Sequence, residues 1–132
     1  MPSLVRDYRK ITVFLGLLVL FTFVTTACGS SAFDSYTRGV EHNELGQYDA
    51  AIQDYDQVIR LDPEYADAYH NRGYSYDEAG QYERAIQDYS EAILLDPQDA
   101  DAYYNRGVSY HNLGQSAEAE RDFAKSEELG TQ

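Results

Sequence analysis

Two hydrophobicity patterns divide the chain. Ile11 to Val24 form a run of 14 mostly apolar residues behind a short stretch holding Arg6, Arg9 and Lys10. From Ala32 onward the apolar residues fall instead at helical spacing. Tyr69, Gly73 and Tyr76 lie at i, i+4, i+7, and Ala85, Ile86, Tyr89, Ala92 and Ile93 keep the same period. Gly46, Gly80 and Gly114 follow such stretches and suit the left-handed position that ends a helix. Pro63 and Pro97 come just after Leu61-Asp62 and Leu95-Asp96, where they stop a second helix. The pattern predicts an all-α body of short antiparallel helix pairs.

These pairs are copies. Residues 32–65 match residues 66–99 at 16 of 34 positions, and 66–76 match 100–110 at 9 of 11. Units 32–65, 66–99 and 100–132 therefore stack, because one hairpin cannot bury its apolar face alone. Gly39, Gly73 and Gly107 recur in mid-helix, where glycine costs about 1 kcal/mol against alanine. Close approach of a second helix through Ala51, Ala85 and Ala119 is the expected compensation. Arg38, Arg72 and Arg106 each precede an aspartate by 16 residues (Asp54, Asp88, Asp122), with the turn glycine midway. An antiparallel hairpin brings such residues level, so three ion pairs are expected inside the units. In the third unit, Ser116, Glu120 and Glu127 replace Tyr48/Tyr82, Ile52/Ile86 and Ile59/Ile93, as expected of a terminal repeat facing solvent.

The string Tyr69-x-x-Arg72-Gly73-x-x-Tyr76, then Ala85-x-x-x-Tyr89, then Pro97 resembles the tetratricopeptide repeat. Tyrosine stands where that family often has tryptophan, and arginine stands before the glycine where it has leucine. The resemblance implies a helical-hairpin solenoid of three units whose first helices line a concave, partner-binding groove. The residues implied to point into it are Phe33, Tyr36 and Val40, then His70, Asn71, Tyr74 and Asp77, then Tyr104, Asn105, Val108 and Asn112. Chaperone-binding members grip a C-terminal carboxylate with lysines and arginines, and none stands among these positions. Asn71 and Asn105 resemble the asparagine ladder with which some members hold a peptide backbone, an amide offering both donor and acceptor. Asparagine is equally a common residue of this repeat type.

The N-terminal pattern has the parts of an export signal over residues 1–27, a basic start, an apolar centre and a small-residue exit. Thr26-Ala27-Cys28 resembles a bacterial lipobox, which implies lipidation of Cys28 and a short linker, 28–31, before the repeats. Thr25 departs from that motif, where leucine is usual. Acyl chains on Cys28 would hold the protein at the membrane of the cell envelope without a transmembrane helix. An uncleaved signal anchor is the alternative.

Charge narrows the partners. The net charge is −13, and because the first 27 residues hold three bases against Asp7, the remainder carries −15. Phosphate backbones repel such a body, so nucleic acid is excluded as a partner. The single cysteine excludes an intrachain disulfide framework and a cysteine-based zinc cage. His42, His70 and His111 fall at three different phases of the repeat, and no pair is spaced for a metal. Asp96, Asp99 and Asp101 alternate like a calcium loop but lack its glycine and distal glutamate, and are read as a turn and the next helix start. No phosphate loop, nucleophile elbow or zinc-protease motif occurs. No cofactor, metal or catalytic residue is expected. The expected function is protein binding by an anchored adaptor or scaffold, with a basic or partly apolar peptide or helix as partner. The alternative is a self-associating structural element of the envelope.

Overall fold

A computed structural model describes residues 31–130; the expected export signal over 1–27, Cys28 and residues 29–30 lie outside the described residues, as do 131–132. Six helices follow one another there: α1 (Ala32–Glu44), α2 (Tyr48–Leu61), α3 (Ala66–Glu78), α4 (Tyr82–Leu95), α5 (Ala100–Asn112) and α6 (Ser116–Gly130). None is long and apolar enough to cross a membrane.

Local chemistry sets the ends. Ser31 caps α1 by accepting from the Asp34 amide at 3.1 Å, while the Asp34 carboxylate accepts from the Ser31 amide at 3.2 Å. At the other end Gly46 has φ +69°, and the Gln47 and Gly46 amides donate to the His42 and Asn43 carbonyls at 2.8 and 3.0 Å. Those two bonds satisfy carbonyls that a helix end leaves open. Gly80 and Gly114 repeat the geometry at φ +73° and +75°. The sequence reading of all three turns holds.

Each hairpin packs on the next, α2 against α3 and α4 against α5. The first helices also meet one another, α1 with α3 and α3 with α5, whereas the second helices do not. The solenoid is therefore curved, with α1, α3 and α5 as its inner, concave layer. Its core runs between the layers through Ala51, Tyr55, Val58 and Ala68, and on through Ala85, Tyr89, Ala92 and Ala102. On α6, Glu120 and Glu127 are exposed at the positions where α2 places buried Ile52 and half-buried Ile59.

The atoms nearest the mid-helix glycines belong to aromatic rings of the second helices. A Cβ at Gly39 would stand 2.6 Å from Tyr55, one at Gly73 2.9 Å from Tyr89, and one at Gly107 2.7 Å from Phe123. Ala51, Ala85 and Ala119 are buried beside them, and the Ala119 carbonyl stands 3.3 Å from the Gly107 position. The ring of the second helix lies against bare backbone, and that close fit offsets the helix cost of glycine.

The three expected ion pairs are present. Arg38 Nη2 lies 2.7 Å from Asp54, Arg72 Nη2 2.7 Å from Asp88, and Arg106 Nε 2.7 Å from Asp122. Arg72 and Arg106 also reach the preceding hairpin, through Asp56 at 2.5 Å and Ser90 at 3.0 Å. Tyr69 and Tyr76 flank the Arg72 guanidinium, and Tyr103 and Tyr110 flank that of Arg106. His42 stands at the Tyr76 position of the first hairpin and binds Asp54 Oδ2 through Nδ1 at 2.7 Å. It is a packed histidine with a structural partner.

Candidate functional site

Curvature brings α1, α3 and α5 close enough for side chains to bridge them. Two sets of bridges recur. Ser75 Oγ donates to Asn43 at 2.7 Å, and 34 residues on, Ser109 Oγ donates to Asp77 at 2.6 Å. Asn71 Nδ2 donates to the Tyr36 hydroxyl at 2.9 Å and to the Asp67 carbonyl at 2.9 Å. Asn105 Nδ2 meets His70 Nε2 at 3.2 Å. The asparagine ladder expected from the sequence is thus a set of rungs between helices. Both amide donors of Asn71 are used within the protein, and Asn71 keeps its Oδ1 as an open acceptor.

The two junctions differ where the rungs start. Between α1 and α3, the Tyr36 and Tyr65 rings pack at 5.1 Å and 34°. The equivalent residues between α3 and α5 are His70 and Asp99, joined Nδ1 to Oδ2 at 2.8 Å. Asp99 also caps α5, accepting from the Ala102 amide at 2.9 Å with its other oxygen. His70 thus spans the junction, Nδ1 on the Asp99 carboxylate and Nε2 on the Asn105 amide. Sequence reading missed the His70–Asp99 pair. Its signal was a double departure from the repeat, since Tyr36 and Tyr65 change together.

Two cavities open on this face. One of about 510 Å³ is lined by Tyr36, His70 and Asn71 together with Asp67, Asp96, Gln98, Asp99, Ala100 and Asp101. A second of about 290 Å³ is lined by Val40, Asn43, Glu44, Tyr55, His70, Asn71 and Tyr74. Of the eleven residues expected to line a groove, Tyr36, Val40, His70, Asn71 and Tyr74 are brought together here. Phe33, Asp77, Tyr104, Asn105, Val108 and Asn112 line neither cavity. Phe33 stands 72% exposed at the start of α1, and Tyr104 54% exposed beside Phe123. Val108 is half-buried on α5, and Asn112 is exposed at its last turn. Asp77 is occupied by Ser109. Of the cavity-lining acids, Asp96, Asp99 and Asp101 were read from the sequence as a turn and a helix start, and Asp67 was not singled out, though Asp67 and Asp101 occupy one phase of the repeat.

Electrostatics on the face are one-sided. All the lysines and arginines of α1, α3 and α5 are the three arginines already paired with aspartates of the second helices. Burial, with the nearby Asp67 charge, pushes the Tyr36 hydroxyl above its ordinary pKa. Burial likewise raises the Asp77 carboxyl, against the Ser109 hydrogen bond that favours its charge. Among the described residues no group of three or more histidine, cysteine or acidic side chains is arranged to hold a metal ion.

A curved stack of helical hairpins with a side-chain-lined inner face defines the class of helical-repeat interaction proteins. The TPR repeat family model matches residues 39–78 and 73–114, and a tetratricopeptide repeat model matches 100–129. The chain belongs to the tetratricopeptide repeat family, whose domains mediate protein–protein interactions. It is 33% identical to the crystal structure of MamA with a TM-score of 0.74, covering 76% of this chain but only 59% of that one. It is 33% identical to the second TPR of Spaghetti (RPAP3) bound to the HSP90 peptide SRMEEVD, at TM-score 0.73, covering 76% and 93% of the two chains. It is also 34% identical to the second TPR domain of human RPAP3 in complex with the HSP70 peptide SGPTIEEVD, at TM-score 0.72, covering 74% and 82%. Comparison with curated protein sequences gives no match.

Proposed function

We propose that this protein is an exported adaptor, held at an envelope membrane by lipid on Cys28, whose concave face binds a segment of another protein. The observation that carries the reading is the pair of adjoining cavities on the inner helices, built from five of the positions the family resemblance assigns to its groove. The anchor rests on the apolar run and the small-residue exit before Cys28.

The ligand differs from that of the RPAP3 domains. Their peptides, SRMEEVD and SGPTIEEVD, are acidic overall and end in a carboxylate. An acidic terminus needs cationic donors, and the arginines of these inner helices are spent on Asp54, Asp88 and Asp122. The open face repels such a peptide.

A photo-crosslinking residue at Tyr74, compared with one at Arg84 on the outer layer, tests the groove in native membranes. Partner adducts from position 74 and not from 84 are expected; the reverse pattern removes the reading. For the anchor, Cys28→Ser protein should leave the membrane fraction once the first 27 residues are removed, and persistence there would remove lipidation.

A further inference from the structure

The two cavities share one wall, the side chains of His70 and Asn71, and they differ in chemistry on either side of it. One side is lined by Asp67, Asp96, Asp99 and Asp101, with no lysine or arginine among its lining residues. On the other side Val40, Tyr55 and Tyr74 supply apolar surface. Hydrogen-bond polarity points the same way. Both Asn71 amide donors are taken, by the Tyr36 hydroxyl and the Asp67 carbonyl, so what remains open includes the Asn71 Oδ1 acceptor and the carboxylates. A surface rich in acceptors and free of cations selects donors that carry positive charge.

We propose that this double cavity is a specificity site for a cation beside an apolar side chain on one extended partner segment. A lysine or arginine enters the carboxylate side, and an apolar residue seats between Val40 and Tyr74. Because the cavities adjoin, the two side chains belong to the same face of the segment, at i and i+2. The inference rests on the groove reading above and adds to it the partner's chemistry and spacing. The local arginines cannot neutralise the site, since Arg72 is committed to Asp88 and Asp56, and Arg106 to Asp122 and Ser90. Nor is the acidity needed for folding at each position. The Asp67 and Asp101 side chains are exposed and accept no side-chain bond, whereas Asp99 holds His70 and caps α5.

The test uses the full-length protein in detergent micelles and labelled peptides of a serine–glycine host. Two positions, two residues apart, carry every combination of lysine, glutamate, leucine and serine. Fluorescence anisotropy at two salt concentrations gives affinity, and a photo-crosslinker on the peptide reports where it sits. The lysine–leucine peptide should bind tightest and weaken with salt. Asp67→Asn/Asp101→Asn should weaken it about tenfold while changing the serine–leucine peptide less than twofold. Val40→Asp should weaken leucine peptides and spare serine ones. Glutamate peptides binding better, a lysine preference that survives the double variant, or no binding of any peptide at millimolar concentration overturns the proposal. Crosslinks to α2, α4 or α6 in place of the inner helices would overturn the groove reading itself. Inner-helix crosslinks without a lysine preference would overturn only the specificity.

Discussion

Arg72 binds Asp88 through two guanidinium nitrogens, Nε to Oδ2 and Nη2 to Oδ1, both at 2.7 Å, across the two helices of one hairpin. Its remaining nitrogen, Nη1, crosses to Asp56 on the hairpin before it. One side chain therefore closes a hairpin and ties it to its neighbour. Burial opposes its charge, yet Asp88 and Asp56 together outweigh burial and hold the guanidinium pKa above its ordinary value. Arg38 places both Nε and Nη2 on one oxygen of Asp54, Oδ1, with its side chain 45% exposed against 17% for Arg72, and no bond to an earlier hairpin is seen among the described residues.

The two arginines should therefore differ in what they contribute. Arg72→Ala leaves Asp88 buried without a counter-charge and should cost about 3–5 kcal/mol. Arg38→Ala should cost about 1 kcal/mol, because solvent screens the pair and His42 still holds Asp54. Urea unfolding of the two variants checks the order. Equal losses would mean that the link to Asp56 contributes nothing.

Gly73→Ala tests the ring-on-backbone packing. Alanine is worth about 1 kcal/mol in helix propensity. Its methyl, however, would stand 2.9 Å from Tyr89 Cε1 and 3.3 Å from Asp88 Cβ, and Tyr89 is only 1% exposed. Overpacking costs about 1–3 kcal/mol, so the variant should be less stable than the parent. Thermal unfolding should show a lower midpoint for Gly73→Ala and also for Gly39→Ala, whose ring is closer still. A rise at either position would place the rings elsewhere.

Legibility followed sequence distance within the repeat. The Arg–Asp pairs could be read because a hairpin folded at its glycine places residues 16 apart side by side. Helix ends could be read because the glycine and proline signals act on their own neighbours. The His70–Asp99 pair could not, since it spans 29 residues and joins the first helix of one hairpin to the residue that caps the next. The asparagine rungs span 35 residues, and their donors are lost to the groove only because curvature brings α1, α3 and α5 together. The acids around the carboxylate cavity looked like ordinary helix-start residues for the same reason. Packing between units, not pattern within one, decides what a side chain faces.

The His70–Asp99 and Tyr36–Tyr65 junctions are two solutions to one position, so the residues of each pair should be coupled. Asp99→Tyr alone removes the α5 cap, worth about 1 kcal/mol, and strands the His70 Nδ1 donor. His70→Tyr/Asp99→Tyr restores the stacked arrangement seen at Tyr36 and Tyr65. The double variant should be more stable than the sum of the single losses by about 0.5–1.5 kcal/mol. A double-mutant cycle by chemical denaturation measures this, and strict additivity would mean the two junctions are unrelated.

Asp77 gives the clearest dependence on pH. Burial raises its carboxyl pKa above the ordinary value, and the neighbouring Glu78 charge adds to the rise, while Ser109 donates to Oδ1 and opposes it. At the equivalent place in the first hairpin, Asn43 Oδ1 accepts the same bond from Ser75. Asp77→Asn therefore keeps the acceptor and removes a charge that is costly to bury. A raised carboxyl pKa means that, as pH falls, the folded protein takes up its proton before the unfolded chain does, so the penalty on folding is full above the raised pKa and is lost between it and the ordinary value. The variant should be more stable than the parent at pH 7, by about half a kcal/mol given how much solvent screens the site. Its advantage should shrink as pH falls through the raised pKa and be gone below the ordinary carboxylate value of 3.8. Unfolding free energies from pH 3 to pH 7 check the trend. An advantage that grows toward acid would reverse the sign and show that Ser109 stabilises the charge more than burial opposes it.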